Sequence, residues 1–332
     1  SRFEFSGSSR PGHDAAGPTK PEPELKSGRF AGDDLLDQAI GRTRDYLLSQ
    51  QHEQGYWVAE LEGDTILESE YILLLAFLGK TDTETARLAG NYLRKHQTPG
   101  GGWAAYPGGP LEISGSVKAY FALKLVGHSP EADYMIRARD AILAAGGAEK
   151  VNSFTRFYLA LLDIISYEQV PAVPPELILL PSWSPINIYE MSAWSRTIVI
   201  PLSILWAHRP CHPIAEEHRI DELFVNSPQE LPASMGSSET LDDMQYDTWL
   251  DWDKFFRRVD AGFKFLERNR IKPLRKLALK KATAWMEERF AGSDGLGAIF
   301  PPIVWSIIAL KCLGHDEDSP DVVRAMDELD KL

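Results

Sequence analysis

The sequence predicts an all-α fold, an α/α barrel or toroid built from helix pairs, on three observations. First, Gln, Gly and Trp recur at one spacing, in Gln51-His-Glu-Gln-Gly55-Tyr-Trp57 and again in Gln97-Thr-Pro-Gly-Gly101-Gly-Trp103. The two Trp lie 46 positions apart, from 57 to 103, which leaves room for two helices per repeat. Second, apolar residues recur at helical spacing from Leu35 to about Gly147, with Gly or Pro breaks at Gly55, Gly79, Pro99, Gly102, Pro107, Pro110 and Gly127. Third, strand-like alternation is scarce.

In chain order, Ser1 to about Gly32 is rich in Ser, Gly, Pro and charge and poor in aliphatic side chains, so residues 1–32 are expected to form a disordered tail and 33–332 one helical domain. Asp33-Asp-Leu-Leu-Asp37 spells a pattern that can hold Mg²⁺ through oxygen ligands. The favoured reading is a helix start, where carboxylates meet exposed N–H groups and the positive dipole end. In each repeat a helix carrying Tyr46, Leu47 and Leu48, or Tyr92 and Leu93, should run into a Gly with φ > 0. The indole then packs back on the helix end while Gln bonds backbone groups left open there. Tyr71–Phe77 and Ile198–Leu205 are apolar all round, as inner barrel helices must be. Further helices are expected around Phe154–Ile165 and Tyr189–Trp206, separated by the Pro-rich connection Pro171–Pro185. His208-Arg-Pro-Cys211-His212, with His218 nearby, carries zinc-type ligands, but its prolines and the lack of a matching second pair favour a loop, and no metal is expected.

Composition fits a globular chain, with 44% hydrophobic and 25% charged residues and apolar runs too short or too charged to span a bilayer. With no cationic, apolar leader at its start, the chain is expected to face the cytoplasm. Cys211 and Cys312 are far apart in sequence and are expected to be packing residues rather than a disulfide.

The Gln-x-x-x-Gly-x-Trp repeats resemble those of the triterpene cyclases, particularly the squalene-hopene cyclases. Glu68-Ser-Glu70-Tyr71, Tyr106-Pro-Gly-Gly-Pro110, Phe154-Thr-Arg156, Val173-Pro-Pro-Glu176, Asn187-Ile-Tyr-Glu190, Trp194-Ser-Arg196 and Gly297-Ala-Ile-Phe-Pro-Pro302 are similar to that family in the same order, over roughly residues 35–330. The resemblance implies that squalene or a similar linear polyprene is protonated at a terminal alkene and cyclised through cations to a pentacyclic triterpene, with no cofactor. The cascade ends in deprotonation or water capture.

By that resemblance Glu70 belongs to the polar cluster that quenches the last cation. Two neighbours depart from the pattern: Lys118 stands where related cyclases carry Glu, and Asn152 where they carry Arg. A plain Lys118–Glu70 ion pair is the competing reading. Trp194, Phe300, Pro301 and Trp305 correspond to cavity positions, where aromatic faces stabilise a cation without trapping it. Met191 and Val199 correspond to a narrowing of the substrate channel. Ordinary core packing is the alternative for each of these. The family's protonating Asp-x-Asp-Asp motif is missing from these 332 residues, and Asp251-Trp-Asp253-Lys254 and Asp316-Glu-Asp318-Ser319 lack its adjacent carboxylate pair. The chain is therefore expected to be an N-terminal portion without the general acid, inactive alone and dependent on a C-terminal half.

From Arg257 to Lys281 ten basic residues face only Asp260 and Glu267, against −13 for the whole chain. Trp249, Trp252, Phe255 and Phe256, followed by Arg257 and Arg258, make the aromatic and cationic mixture of a helix lying in a bilayer interface. The expectation is peripheral, monotopic contact with the cytoplasmic side of a membrane. An outer barrel helix is the alternative, and nucleic acid is not expected as a partner. A homodimer is compatible with the sequence. Two competing functions are a non-catalytic lipid-binding scaffold and another α/α toroid, such as a prenyltransferase subunit with zinc ligands.

Overall fold

A computed structural model describes residues 33–57, 64–184, 187–228, 262, 264, 272–292, 296 and 299–330. The expected tail 1–32 and the aromatic and basic stretch 249–258 lie outside the described residues. The chain divides into two compact units, Ser1–Leu61 and Glu62–Leu332.

In the first unit, α1 (Asp33–Ser49) carries the first Gln-Gly-Trp copy at its end. The helix opens at the acids Asp33 and Asp34, in keeping with their reading as a helix start. Gln51 Nε2 donates to the Gly55 carbonyl at 2.9 Å, and Trp57 Nε1 reaches back to the Leu47 carbonyl at 2.5 Å. Gly55 has φ +87°.

The second unit is helical, with α2 (Ile66–Phe77), α3 (Glu84–Lys95), α4 (Ile113–Leu125), α5 (Asp133–Ala144), α6 (Ser153–Leu161), α7 (Ala193–His208), α8 (Lys272–Gly292), α9 (Phe300–Cys312) and α10 (Pro320–Leu329). The described residues contain no strand, only one isolated bridge between Ala104 and Leu111. Helices α2, α4, α6, α7 and α9 form the inner set. Their burial runs round the whole circumference: every residue of α4 from Ser114 to Leu125 is buried, as is Pro302–Leu310 of α9. Outer helices bury one stripe only, such as Ala86, Gly90 and Leu93 in α3 or Val322, Ala325 and Leu329 in α10. Helix α9 packs on both α7 and α2, and α2 on α4, so the inner set turns back on itself within this unit.

Side-chain caps fix where these helices begin. Thr83 accepts from Ala86 N, Asn152 from Thr155 N and Ser192 from Ser195 N, at 3.2, 3.0 and 3.0 Å, and the Glu112 carboxylate covers the first N–H groups of α4. The helix expected from Tyr189 begins only at Ala193, because Asn187 Oδ1 accepts the N–H groups of Tyr189 and Glu190 and holds them in a turn. The one expected to reach Ile165 stops at Leu161, where Asp163 takes φ +60° and Ile164 N bonds back to Leu159 O at 2.8 Å. Cys312 packs against the core and burial pushes its thiol up to about 12, but Cys211 is exposed and is not a packing residue.

The second Gln-Gly-Trp copy reproduces the first bond for bond. Gln97 Nε2 donates to Gly101 O at 2.7 Å and Trp103 Nε1 to Leu93 O at 2.8 Å. Here the turn is locked by a neighbour as well: Gln97 Nε2 also reaches Tyr134 O, and a Cβ on Gly101 (φ +100°) would stand 2.4 Å from the Arg137 carbonyl of α5. Trp103 is 1% exposed and Trp57 49%.

Candidate functional site

The inner helices run in one direction, which gathers their first turns at one end. Their far ends meet through His212 N, which donates to Leu161 O, and the edge-on contact of Phe77 with His212. At the near end the backbone N–H of Asn152, just before α6, donates to Ser114 Oγ of α4 at 3.0 Å. One or two turns inside that end lies a buried polar cluster.

Glu70 of α2 and Lys118 of α4 are both buried, and Lys118 Nζ stands 2.6 Å from Glu70 Oε1. The second carboxylate oxygen accepts from the Tyr158 hydroxyl of α6 at 3.1 Å. Burial, reinforced by the Glu70 charge, raises the Tyr158 hydroxyl well above its ordinary range, so it stays a donor. The Trp305 ring of α9 lies over Tyr158 with centroids 4.5 Å apart and meets Phe157 edge-on at 6.1 Å. Four inner helices thus place an anion, a cation, a neutral donor and an indole around one point. Both carboxylate oxygens are engaged, which is what a buried ion pair requires to be tolerated.

About half a turn nearer the rim, Glu68 is half-buried and its Oε2 is buried with no hydrogen bond. Desolvation, with a smaller push from Asp64, raises its carboxyl above the usual carboxylate range.

Of the other sequence-nominated residues, Asn152 uses its amide oxygen as the α6 cap, accepting from both N and Oγ1 of Thr155. Phe300 and Pro301 form the first turn of α9, with Phe300 packed against the core. Met191 and Val199 are half-buried. Trp194 is in the first turn of α7, with more than half of its surface exposed. The structure therefore joins Glu70 and Lys118 directly, brings Trp305 to them through Tyr158, and sets Trp194 apart at the rim. Tyr158 was missed by sequence reasoning. The signal for it was chemical: a buried carboxylate with one oxygen on Lys needs a donor for the other.

At the opposite end, Lys124 Nζ binds Glu222 Oε1 at 2.7 Å and the Arg219 carbonyl, and Tyr120 donates to the same Glu222 oxygen at 2.9 Å. This network ties α4 to the 216–223 segment. His208 ends α7, and Arg209 follows in the left-handed conformation. Among the described residues no helix is long and apolar enough to cross a membrane.

Residues 40–332 match the family model described as squalene-hopene cyclase N-terminal domain. The chain is 40% identical over 303 residues to a squalene–hopene cyclase of Zymomonas mobilis, covering 90% of this chain and 44% of that protein. It is 39% identical over 310 residues to a squalene–hopene cyclase of Bradyrhizobium diazoefficiens, covering 93% and 46%. It is 32% identical over 301 residues to a dammaradiene synthase of Dryopteris crassirhizoma, covering 90% and 42%. The chain spans a little under half the length of these relatives.

Proposed function

We propose, because this chain belongs to the squalene-hopene cyclase family and carries its N-terminal domain, that it supplies the cation-quenching end and part of the substrate channel of a cyclase acting on squalene or a similar linear polyprene. The observation that carries this reading is the Glu70–Lys118–Tyr158–Trp305 cluster, a buried polar group contributed by four inner helices.

Within these 332 residues there is no adjacent pair of carboxylates of the Asp-x-Asp-Asp kind. Protonating an alkene needs an unusually strong acid, so that step falls to the remaining portion of the enzyme. The residues present act later. Indole and phenyl faces at Trp194, Trp305 and Phe300 stabilise the travelling positive charge through their quadrupoles and offer it no nucleophile. Met191 and Val199 narrow the way in. At the end of the cascade a proton must leave or a water must add.

Glu70 is the one fully buried carboxylate of the cluster, but Lys118 holds it as a satisfied anion. Accepting a proton would cost it the ion pair, which raises the barrier to ending at this oxygen. Lys118 thus tunes the ending, and Glu70 helps hold the final cation electrostatically. The aromatic and basic residues Trp249, Trp252, Phe255, Phe256, Arg257 and Arg258 would form a monotopic membrane contact through which an all-hydrocarbon substrate leaves the lipid. With the family established, the prenyltransferase reading lapses.

The test is product partition. In an enzyme reconstituted with the C-terminal portion, Lys118→Glu restores a carboxylate at this position and frees Glu70 to act as base or to orient water. The ratio of deprotonated to hydrated triterpene should then shift by at least about tenfold, roughly 1.4 kcal/mol in relative barrier. An unchanged ratio in an active enzyme would remove the cluster from the quenching step.

A further inference from the structure

Between the end of α3 and the start of α5, two outer helices of the second unit, lies a hollow of about 470 Å³. Arg94 of α3, Gln97 of the Gln-Gly-Trp turn, and Asp133, Tyr134 and Arg137 of α5 border it. Arg94 and Arg137 are both exposed, and neither forms an ion pair with a described carboxylate. Other arginines on the same two helices do: Arg87 pairs with Glu84 and Arg139 with Asp140.

The two free cations are nonetheless held in place. Arg94 lays its guanidinium over the Tyr134 ring, 4.9 Å from the centroid, and Arg137 Nη2 reaches Gln97 Oε1 at 3.5 Å. Gln97 Nε2 in turn binds the Gly101 and Tyr134 carbonyls, and the Arg137 carbonyl presses on Gly101 so closely that a Cβ there would stand 2.4 Å away. The turn thus pins the start of α5 against the end of α3, and a ligand would meet groups already positioned. The positive field extends to a neighbour. His128 Nδ1 stands 2.6 Å from the Tyr134 hydroxyl, and burial, reinforced by the Arg94 charge, holds its imidazole below the ordinary range.

We infer that this hollow is an oxyanion site, which takes the phosphate group of a phosphate ester between the Arg94 and Arg137 guanidiniums. A phosphate monoester carries close to two negative charges at neutral pH and three acceptor oxygens, which two planar guanidiniums match in both charge and donors. A carboxylate needs only one of them. Asp133 lowers the attraction without reversing it, because two cations face one anion. The chain as a whole carries −13, so anions are not drawn to its surface in general. The volume leaves room for the organic part of a small ester. Outer helices build the site, and it uses none of the residues of the Glu70 cluster, so it stands apart from the cyclase reading.

The test is an NMR titration of the whole chain with glycerol 3-phosphate at low salt, following the imidazole resonances of His128 assigned with His128→Gln. Saturable binding is expected, with the pKa of His128 raised in the bound state, because the dianion offsets the Arg94 charge. Arg94→Gln and Arg137→Gln should each weaken binding at least about tenfold and, as changes at exposed positions, keep the parental melting temperature. Arg94→Gln should also raise the His128 pKa without ligand. Asp133→Asn removes a like charge and should tighten binding by about two- to fivefold. Arg87→Gln, two turns away with its charge held by Glu84, should stay within about twofold. Glycerate, with a carboxylate in place of the phosphate, should bind at least about tenfold more weakly.

A dissolved ester and a lipid headgroup share this chemistry, and vesicles separate them. Glycerol 3-phosphate binding without sedimentation on phosphatidate vesicles assigns a dissolved ester. Sedimentation on phosphatidate but not phosphatidylcholine vesicles, lost in Arg94→Gln, assigns a lipid. No response to either probe, with glycerol 3-phosphate taken to about 20 mM, would overturn the site. Parental affinity in both arginine variants, or weaker binding in Asp133→Asn, would do the same.

Discussion

The Lys118 ammonium stands 2.6 Å from a carboxylate oxygen of Glu70, with both side chains removed from solvent and the two residues 48 positions apart in sequence. This pair joins α2 to α4 at the centre of the candidate site. A buried pair of this kind contributes little net stability but is costly to break, since removing one partner strands the other charge. Lys118→Met should therefore destabilise the protein by about 3–5 kcal/mol, and Glu70→Gln by a similar amount. The double variant should lose less than the sum, the difference being a coupling of about 1–3 kcal/mol in a urea-denaturation cycle. Additive losses would show that the pair does not act as a unit.

Tyr158 donates to the other Glu70 oxygen. Tyr158→Phe leaves that oxygen unsatisfied and should cost about 1–3 kcal/mol at neutral pH. The hydroxyl's pKa is raised in the folded state, so its contribution is fully present below the unfolded tyrosine value of about 10 and is lost as pH climbs above it, because only the unfolded chain releases the proton. Stability measured from pH 9 to 11 should fall less steeply in Tyr158→Phe than in the parent. Identical slopes would place the hydroxyl in contact with solvent.

Glu68 tests the same linkage for a carboxylate. Burial raises its pKa, so its folded form favours the proton, and the stability it contributes at low pH is lost as pH rises through the folded value. Glu68→Gln should raise the melting temperature at pH 7 and leave it nearly unchanged at pH 4. An equal rise at both pH values would point to packing instead of charge.

The two Gln-Gly-Trp copies share their hydrogen bonds but not their burial, which separates motif geometry from packing. Trp103→Ala should cost about 3–5 kcal/mol and Trp57→Ala about 1 kcal/mol. The glycines should follow suit. A Cβ at Gly55 would meet nothing closer than Gln51 Nε2 at 4.0 Å, so Gly55→Ala costs only the left-handed backbone, about 1–2 kcal/mol, whereas Gly101→Ala also meets the Arg137 carbonyl and should be far more damaging. Equal effects in the two copies, followed by thermal denaturation, would contradict the burial difference.

What the sequence made legible follows from how local each signal is. The Gln-Gly-Trp unit could be read because its bonds close within ten residues, from Gln97 to Gly101 and from Leu93 to Trp103. The all-α class was legible in inner helices that are apolar all round. The sequence left Glu70 open to a quenching role or to an ion pair with Lys118, and the structure forms the pair. Tyr158 was not legible, since its partnership spans 88 residues and depends on α6 lying beside α2. The late start of α7 was hidden for a different reason: Asn187 competes for the backbone N–H groups through its own side chain, and helical periodicity does not report that. Trp194 read as cavity from resemblance, and it stands at an exposed rim of the described unit.

Squalene turnover followed by gas chromatography tests the central claim most directly, using this chain, the C-terminal portion carrying the Asp-x-Asp-Asp motif, and the two together. Cyclic triterpene is expected only in the mixture, with squalene untouched by either portion alone. Untouched squalene in a mixture shown by sedimentation to have assembled would contradict it.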